Sequence, residues 1–367
     1  MVRTMDVNRK ITVQKHLLPF RFSAGTSRGI MKFKKLWILQ FEQDGRIGKG
    51  ECSIIEGLSP EYTDDEAYEH NLNALISTLE TIAESPSQIL KELLTWFPML
   101  QKQPSVRCGI EMALLDWLNP NPEVIFDNDF SLCLSSIPIN GLIWMGDIAW
   151  MQQQVEQKIA AGFTVLKFKI AALPWEEEYE FLSQIRQRYP ASKLTIRVDA
   201  NGGFTPQNVL SRLSQLRVLD IHSIEQPVTP EHQHTLAELS KLNLVPVALD
   251  ESLISCFTLE SKQELLSTIL PQYIILKPSL HGGFSGVQEW ISLAEALGIG
   301  WWMTSALESN IGLKAIAQFA ASYPLTMAQG LGTGGLFTQN FPTNLTLQGP
   351  NLSHHLPEHG EISSHVE

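Results

Sequence analysis

Five apolar runs in this chain each end on charged residues. In order they are LKFKI with Lys167 and Lys169, IRVDAN with Asp199, SIEQP with Glu225, ALDES with Asp250 and ILKPS with Lys277. From Lys169 onward the steps are 30, 26, 25 and 27 residues. Each step matches one strand, one helix and two loops. A parallel β/α barrel gathers the C-terminal ends of its strands around one mouth, where such barrels do their chemistry. Three carboxylates from neighbouring strands would then converge on a cation, with lysines on either side.

The chemistry that suits this set is metal-assisted proton transfer. Three oxygen ligands with positions left open suit Mg²⁺, with Mn²⁺ as an alternative. A carboxylate substrate held on such an ion has a more acidic α-proton, because the anion that forms is stabilised. Residues i and i+2 of a strand share a face, so Lys167 and Lys169 would both enter the mouth. A lysine accepts a proton only when neutral, and a neighbouring ammonium or a divalent cation favours that form. Counting strands puts Lys277 on the sixth and the lysine pair on the second, opposite each other in a ring of eight.

The rest of the chain must supply those strands. Strands are expected at Ile137–Leu142, Val165–Ile170, Leu194–Asp199, Ile221–Glu225, Val245–Leu249, Tyr273–Lys277, Gly300–Thr304 and Thr326–Gln329. Helices are expected between them, over Ala149–Ala161, Trp175–Tyr189, Pro206–Leu216, Glu231–Leu239, Leu259–Thr268, Phe284–Leu297 and Asn310–Ala321. This alternation predicts a parallel sheet. Eight units favour a closed barrel, and no Gly-rich dinucleotide fingerprint follows the first strand. Ahead of the barrel, residues 8–52 read as a sheet with a turn at Asp44-Gly45, and residues 63–118 as helices. Ser105 is a candidate cap for the last helix. Asn119–Ser131, with NPNP, reads as a linker. The fold class is therefore α/β: a (β/α)8-type barrel over 131–339 behind an α+β capping domain over 1–130, with the tail 340–367 packing near the cap. The end of the tail, HHLPEHGEISSHVE, reads as a frayed terminus or, less simply, a metal-binding tract.

Composition narrows the partners. The chain has 367 residues and a net charge of −12, which argues against nucleic acid. Its apolar fraction of 44% is that of a soluble globular protein. No apolar run approaches the roughly 18 residues of a membrane span, and the N-terminus lacks a signal-peptide core, so a cytoplasmic location is expected. Four scattered cysteines, Cys52, Cys108, Cys133 and Cys256, read as free thiols. The expected partner is a small carboxylate substrate.

Together these motifs resemble the enolase superfamily, in particular its muconate-lactonizing-enzyme subgroup. The resemblance rests on Lys167-x-Lys169, Asp199-Ala200-Asn201, Glu225-Gln226-Pro227, Asp250-Glu251 and Lys277-Pro278. It extends to the N-terminal region through GRIGKGE (Gly45–Glu51) and RCGIEMALLDW (Arg107–Trp117). Within the subgroup the chain is most similar to the o-succinylbenzoate synthase family of menaquinone biosynthesis. AGTSRG (Ala24–Gly29) stands where that family has a mobile capping loop, and GLGTGGLFTQNF (Gly330–Phe341) follows the last strand. Dipeptide epimerases usually carry Asp-x-Asp in that last region, and here Gly332-Thr333-Gly334 takes its place.

The resemblance implies syn dehydration of 2-succinyl-6-hydroxy-2,4-cyclohexadiene-1-carboxylate to o-succinylbenzoate. The other reading is an N-acylamino-acid racemase or dipeptide epimerase using the same lysines. It implies Asp199, Glu225 and Asp250 as Mg²⁺ ligands and Lys169 as the base that returns its proton to the departing hydroxyl. Lys167 would support the carboxylate, and Lys277 would face the anion as a cation. Further candidates for the pocket are Ser27 and Arg28 on the capping loop, Asn201, Ser305, and the turn Gly332, Thr333 and Gly334, whose backbone N–H groups suit a carboxylate. Glu251 either orients Lys277 or Lys169 or is solvated, and Glu308 either lines the pocket or begins a helix.

Overall fold

The computed structural model describes residues 8–26 and 29–356, with no side chains over 22–30. Three antiparallel strands open the chain: β1 (Arg9–Thr26), β2 (Gly29–Gln43) and β3 (Arg46–Ser53), in the order β1-β2-β3. Four helices follow: α1 (Asp65–Thr81), α2 (Pro86–Lys91), α3 (Leu93–Trp96) and α4 (Pro104–Leu118). Asp64 caps α1 through the Ala67 N–H. The cap is held by the close packing of α4 on β3. A β-carbon on Gly50 would lie 1.9 Å from the Gly109 carbonyl, and one on Gly48 2.1 Å from that of Ala113. The glycines of GRIGKGE are what let helix and strand approach. Trp37, Leu39, Phe41, Tyr68 and Leu72 fill the space between the sheet and the helices.

The barrel alternates strand and helix. Its strands are β5 (Gly141–Ile143), β6 (Val165–Lys169), β7 (Thr195–Asp199), β8 (Ser223–Glu225), β9 (Val247–Leu249), β10 (Tyr273–Leu276) and β11 (Gly300–Met303). They lie in chain order in one sheet, all parallel. Between them run α5 (Ile148–Ala160), α6 (Trp175–Arg188), α7 (Val209–Val218), α8 (Gln233–Leu242), α9 (Leu259–Ile269) and α10 (Gly283–Ala296), with α11 (Asn310–Ala320) after β11. Every predicted barrel helix is found, with its ends moved by at most three residues.

The ring closes in an unexpected way. No strand forms over Thr326–Gln329. Instead Gln329 makes a parallel bridge to Ile139 and Gly330 one to Thr304. Four backbone hydrogen bonds carry the closure: Asn140 N to Gln329 O (2.9 Å), Gln329 N to Pro138 O (2.8 Å), Gly330 N to Met303 O (2.7 Å) and Ser305 N to Gly330 O (3.1 Å). Side chains reinforce it. Arg197 donates to the Ala328 carbonyl at 2.8 Å, and the Gln329 side chain accepts from Met303 N at 2.7 Å. This is a (β/α)8-type barrel with its eighth unit reduced to a latch.

The start of the barrel also departs from expectation. The strand predicted over Ile137–Leu142 is two elements, β4 (Ser136–Pro138) and β5. β4 pairs antiparallel with β13 (Asn351–His354), which pairs with β12 (Leu345–Gln348). His354, expected in a frayed terminus, is therefore buried, with Nδ1 3.0 Å from the Ser131 carbonyl. Ser105 is not a cap. Gln103 holds that position before Pro104, and Ser105 instead donates its N–H (2.7 Å) and hydroxyl (2.6 Å) to Glu61. The segment over 119–131 is packed, with Val124, Ile125 and Phe130 buried and Gln318 accepting from Ile125 N at 2.7 Å.

Cap and barrel meet through side chains from both. Leu18, Phe20, Leu36 and Ile38 of the cap pack with Trp144, Leu336 and Phe337 of the barrel. Two cap carboxylates receive the N-termini of barrel helices, where unpaired N–H groups and the helix dipole favour an anion. Glu51 accepts from Ser309 N (2.9 Å) and Gly312 N (2.9 Å) at α11. Glu111 accepts from Phe284 N (2.6 Å) and Ser285 N (3.2 Å) at α10.

Candidate active site

The strand order places the charged residues on five neighbouring strand ends. Lys167 and Lys169 are on β6, Asp199 ends β7, Glu225 ends β8, and Asp250 and Lys277 follow β9 and β10 by one residue. All six are brought together. Lys167 Nζ lies 2.8 Å from Asp199 Oδ2 and 2.6 Å from Glu225 Oε2. Lys169 Nζ lies 3.0 Å from the same Asp199 oxygen, and Lys277 pairs with Asp250. Both lysines of β6 do face the mouth, as two-residue spacing requires.

Burial makes these charges strongly interdependent. It works against ionisation of Asp199, but Lys167 and then Lys169 outweigh it and hold the carboxyl well below the usual range. Lys167 is held above the ordinary lysine value, with Asp199 and Glu225 outweighing its own burial. Glu225 goes the other way: burial, then the charge of Asp199, pushes its carboxyl up. Glu251 is raised by burial and then by Asp250. Four acids share three lysines, and burial beside one another pushes two of the four, Glu225 and Glu251, toward their neutral forms.

The crowding of acids, and the oxygens left over, test whether the set fits a cation. Asp250 Oδ1 and Glu225 Oε1 are buried with no hydrogen-bond partner. Buried polar atoms are seldom left so. Among the described residues no group of three acids, histidines or cysteines stands as a finished coordination cage, the lysine ammoniums lying on the carboxylate oxygens. An all-oxygen donor set with two unpartnered carboxylate oxygens, and acids that a cation would favour in their ionised form, fits a divalent cation.

Asn201 and Gln226 hold this cluster in shape, and both sit at positive φ, 45° and 39°. Such backbone is uncommon outside glycine and gathers at functional sites. Asn201 accepts from Lys169 Nζ at 2.7 Å and donates to Glu251 at 3.0 Å, so it links the two. Glu251 is therefore half-buried and held beside the cluster, not a free surface acid. Gln226 is fully buried. Its Oε1 accepts from Asp250 N and Ser252 N, each at 3.1 Å, fixing the turn that presents Asp250. Sequence reading quoted Gln226 in a motif but gave it no role. The signal was there, since a glutamine directly after a buried strand has backbone amides within reach.

A cavity of 740 Å³ opens over the cluster. Lys167, Lys169, Asp199, Asn201, Asp250, Glu251 and Lys277 line it on one side. The cap contributes Met31, Phe33, Ile54 and Leu58, and the barrel Leu142, Trp144 and Trp150. Ser305, Gly332 and Thr333 line it as expected. Gly334 does not: it begins a short 3₁₀ turn, and a β-carbon there would meet Asn310 and Leu313 of α11 at 3.2 Å. The Ser305 hydroxyl is committed to Glu308 at 2.7 Å, and Glu308 also accepts from Ser279 at 2.5 Å. Glu308 thus ties the loop after β11 to the turn after Lys277. Ser27 and Arg28 lie outside the described residues. Asn140 and Thr304, which sequence reading passed over, also line the cavity.

Comparison with known proteins fixes the family. Residues 150–348 match the family model described as enolase C-terminal domain-like. The chain belongs to the enolase superfamily. Enzymes of this superfamily generally use a divalent metal ion. The chain is 43% identical to the o-succinylbenzoate synthase of Desulfotalea psychrophila, over 90% of this chain and 95% of that one. It superposes on the crystal structure of MenC from Desulfotalea psychrophila with a TM-score of 0.84 at 39% identity, covering 94% of this chain and 99% of that one. The L-Ala-D/L-Glu epimerase of Bacillus subtilis is 30% identical over 47% of this chain and 46% of its own. Among the described residues no helix is long and apolar enough to cross a membrane.

Proposed function

We propose that the chain is an o-succinylbenzoate synthase, dehydrating 2-succinyl-6-hydroxy-2,4-cyclohexadiene-1-carboxylate to o-succinylbenzoate in menaquinone formation. One observation carries the reading: lysines of β6 and β10 flank the carboxylates of β7, β8 and β9 beneath a cavity that the cap covers. The similarity to a relative of that name along nearly its whole length supports it.

A divalent cation, Mg²⁺ with Mn²⁺ as its near substitute, would be held by Asp199, Glu225 and Asp250 and would stabilise negative charge on the ring carboxylate. Lys169 removes the α-proton. The elimination is syn, so the hydroxyl leaves from the same face, and Lys169 returns the proton to it as water departs. Lys167 supports the carboxylate. The Lys277 ammonium faces the anion from the far side. Asn201 keeps Lys169 aimed through its 2.7 Å hydrogen bond. The cap and the tryptophans of the barrel mouth keep water from the ring. Formation of the aromatic ring makes the step exergonic.

The test is loss of diene absorbance with Mg²⁺ present, repeated with EDTA. Fast, EDTA-sensitive loss supports the reading. No loss from folded, metal-loaded protein would sink it. Two lysines reaching one cluster from opposite sides also suit an N-acylamino-acid racemase, and deuterium exchange at the α-carbon of N-succinyl amino acids tests that second reading.

A further inference from the structure

Two charged residues of the mouth are held by the same device. Asp250 and Lys277 each follow their strand, β9 and β10, by one residue. In each case a side chain accepts the backbone N–H. Gln226 Oε1 takes that of Asp250 at 3.1 Å, and His281 Nδ1 takes that of Lys277 at 3.0 Å. A buried N–H needs such a partner. Gln226 thereby presents Asp250, and His281 stands in the same relation to Lys277.

His281 grips Lys277 from both sides. Its own N–H donates to the Lys277 carbonyl at 3.0 Å, while its ring holds the Lys277 N–H. Because Nδ1 accepts, the ring proton sits on Nε2. Burial, with Lys277 and Lys262 adding to it, pushes the imidazole down to about 3 against the pull of Asp250, so Nδ1 stays free to accept. Other groups fix the rest of the turn. Glu308 accepts from Ser279 at 2.5 Å, Pro278 O accepts from Gly283 N at 2.9 Å, and Glu111 of the cap receives Phe284 N. Gly282 and Gly283, at φ 92° and 71°, reverse the chain straight after the histidine. The turn is thus a fixed frame, and the imidazole joins Lys277 to it. Among the described residues Lys277 lines the cavity and His281 does not, so the ring reaches the reaction only through the lysine.

We propose that His281 is a positioning residue for Lys277. A lysine carries its ammonium on a flexible four-carbon stem, so its aim depends on where its backbone is held. Lys277 must keep its pair with Asp250 and also face the anion across the mouth. The proposal rests on the dehydration reading, in which the Lys277 ammonium meets the charge that develops on the substrate. A displacement of about 1 Å at such a group can cost about 10²-fold in rate.

The test compares His281→Leu with His281→Asn. Asn Oδ1 occupies the place of the ring Nδ1 and can accept the same N–H. His281→Leu is expected to lower kcat for dehydration about ten- to hundredfold, with KM and calorimetric Mg²⁺ affinity each within about threefold of wild type. His281→Asn is expected to return kcat to within about fivefold of wild type. Amide hydrogen exchange at Lys277, followed by NMR, should be slow in wild type and in His281→Asn. It should be about 10²-fold faster in His281→Leu, with Ile274 and Ile275 little changed. Equal loss of kcat in the two variants would overturn the proposal, because the ring would then matter for packing alone. A wild-type Lys277 amide that exchanges like an open one would also overturn it, even if His281→Leu failed to fold. Slow exchange at Lys277 in a wild type that does not dehydrate would uphold the hold on the lysine and overturn the activity reading.

Discussion

Two groups of buried carboxylates in this molecule are treated in opposite ways. At the seam between cap and barrel, Glu51, Glu111 and Glu308 have both oxygens engaged by N–H or hydroxyl donors. In the mouth, Glu225 and Asp250 each keep a buried oxygen with no partner, and the acids outnumber the lysines. An acid whose oxygens are all satisfied holds two elements together. An acid left partly unsatisfied at a strand end is waiting for something outside the chain. The difference separates architecture from chemistry without reference to any ligand.

Substitutions should split along the same line. The largest effect on turnover is expected from Lys169→Ala, a loss of about 10²–10⁴-fold in dehydration with metal binding retained in a calorimetric titration. Substantial residual turnover would remove Lys169 as the base. Next, Glu225→Gln should weaken metal binding at least tenfold while changing the melting temperature of the metal-free protein little, since burial already favours its neutral form. Glu111→Ala should do the reverse. It strands the N–H groups of Phe284 and Ser285 and the Arg107 guanidinium, for about 2–4 kcal/mol of stability, with metal affinity unchanged. If both variants lost stability alike, the distinction between the two groups would collapse.

Lys277→Arg sharpens the comparison further, because it keeps the charge and removes the base. Dehydration should fall by no more than about tenfold, and α-proton exchange in an N-succinyl amino acid by clearly more. The smallest effect concerns Glu61, which lies between the two groups. Ser105 satisfies one of its oxygens, and burial pushes its carboxyl up to about 6. The folded state then holds a proton that the unfolded state releases above about 4.5. Stability should therefore fall as pH rises from 4.5 to 6, by at most about 2 kcal/mol, and Glu61→Gln should flatten that slope in thermal melts.

Most of the chemistry was legible because charge at a strand end is local information. Asp199, Glu225 and Asp250 stand out against apolar runs, and helices on either side of them carry their own caps, Asp147 before and Thr258 after. What escaped depends on distant partners. The strand over 137–142 divides because β13, some 200 residues later, claims its first half. Thr326–Gln329 has strand-like residues but only two bridges, since side chains of Arg197 and Gln329 do part of the closing. Asn140 and Thr304 carry no charge, so nothing in the sequence marks them.

The latch has a consequence for how this barrel can change. The acids and lysines stand on the continuous side of the ring, where each strand has a neighbour on both edges. The cavity wall around Gly330 stands on the side fastened by four backbone hydrogen bonds. Amide exchange should therefore be fastest at Gln329 and Gly330 among the ring positions. The lysines and acids thus stand on the stiff arc, and Gly330, which also lines the cavity, on the pliable one. A lineage could exchange the group it recognises by reworking a few residues around Gly330 and keep the proton-transfer apparatus as it is.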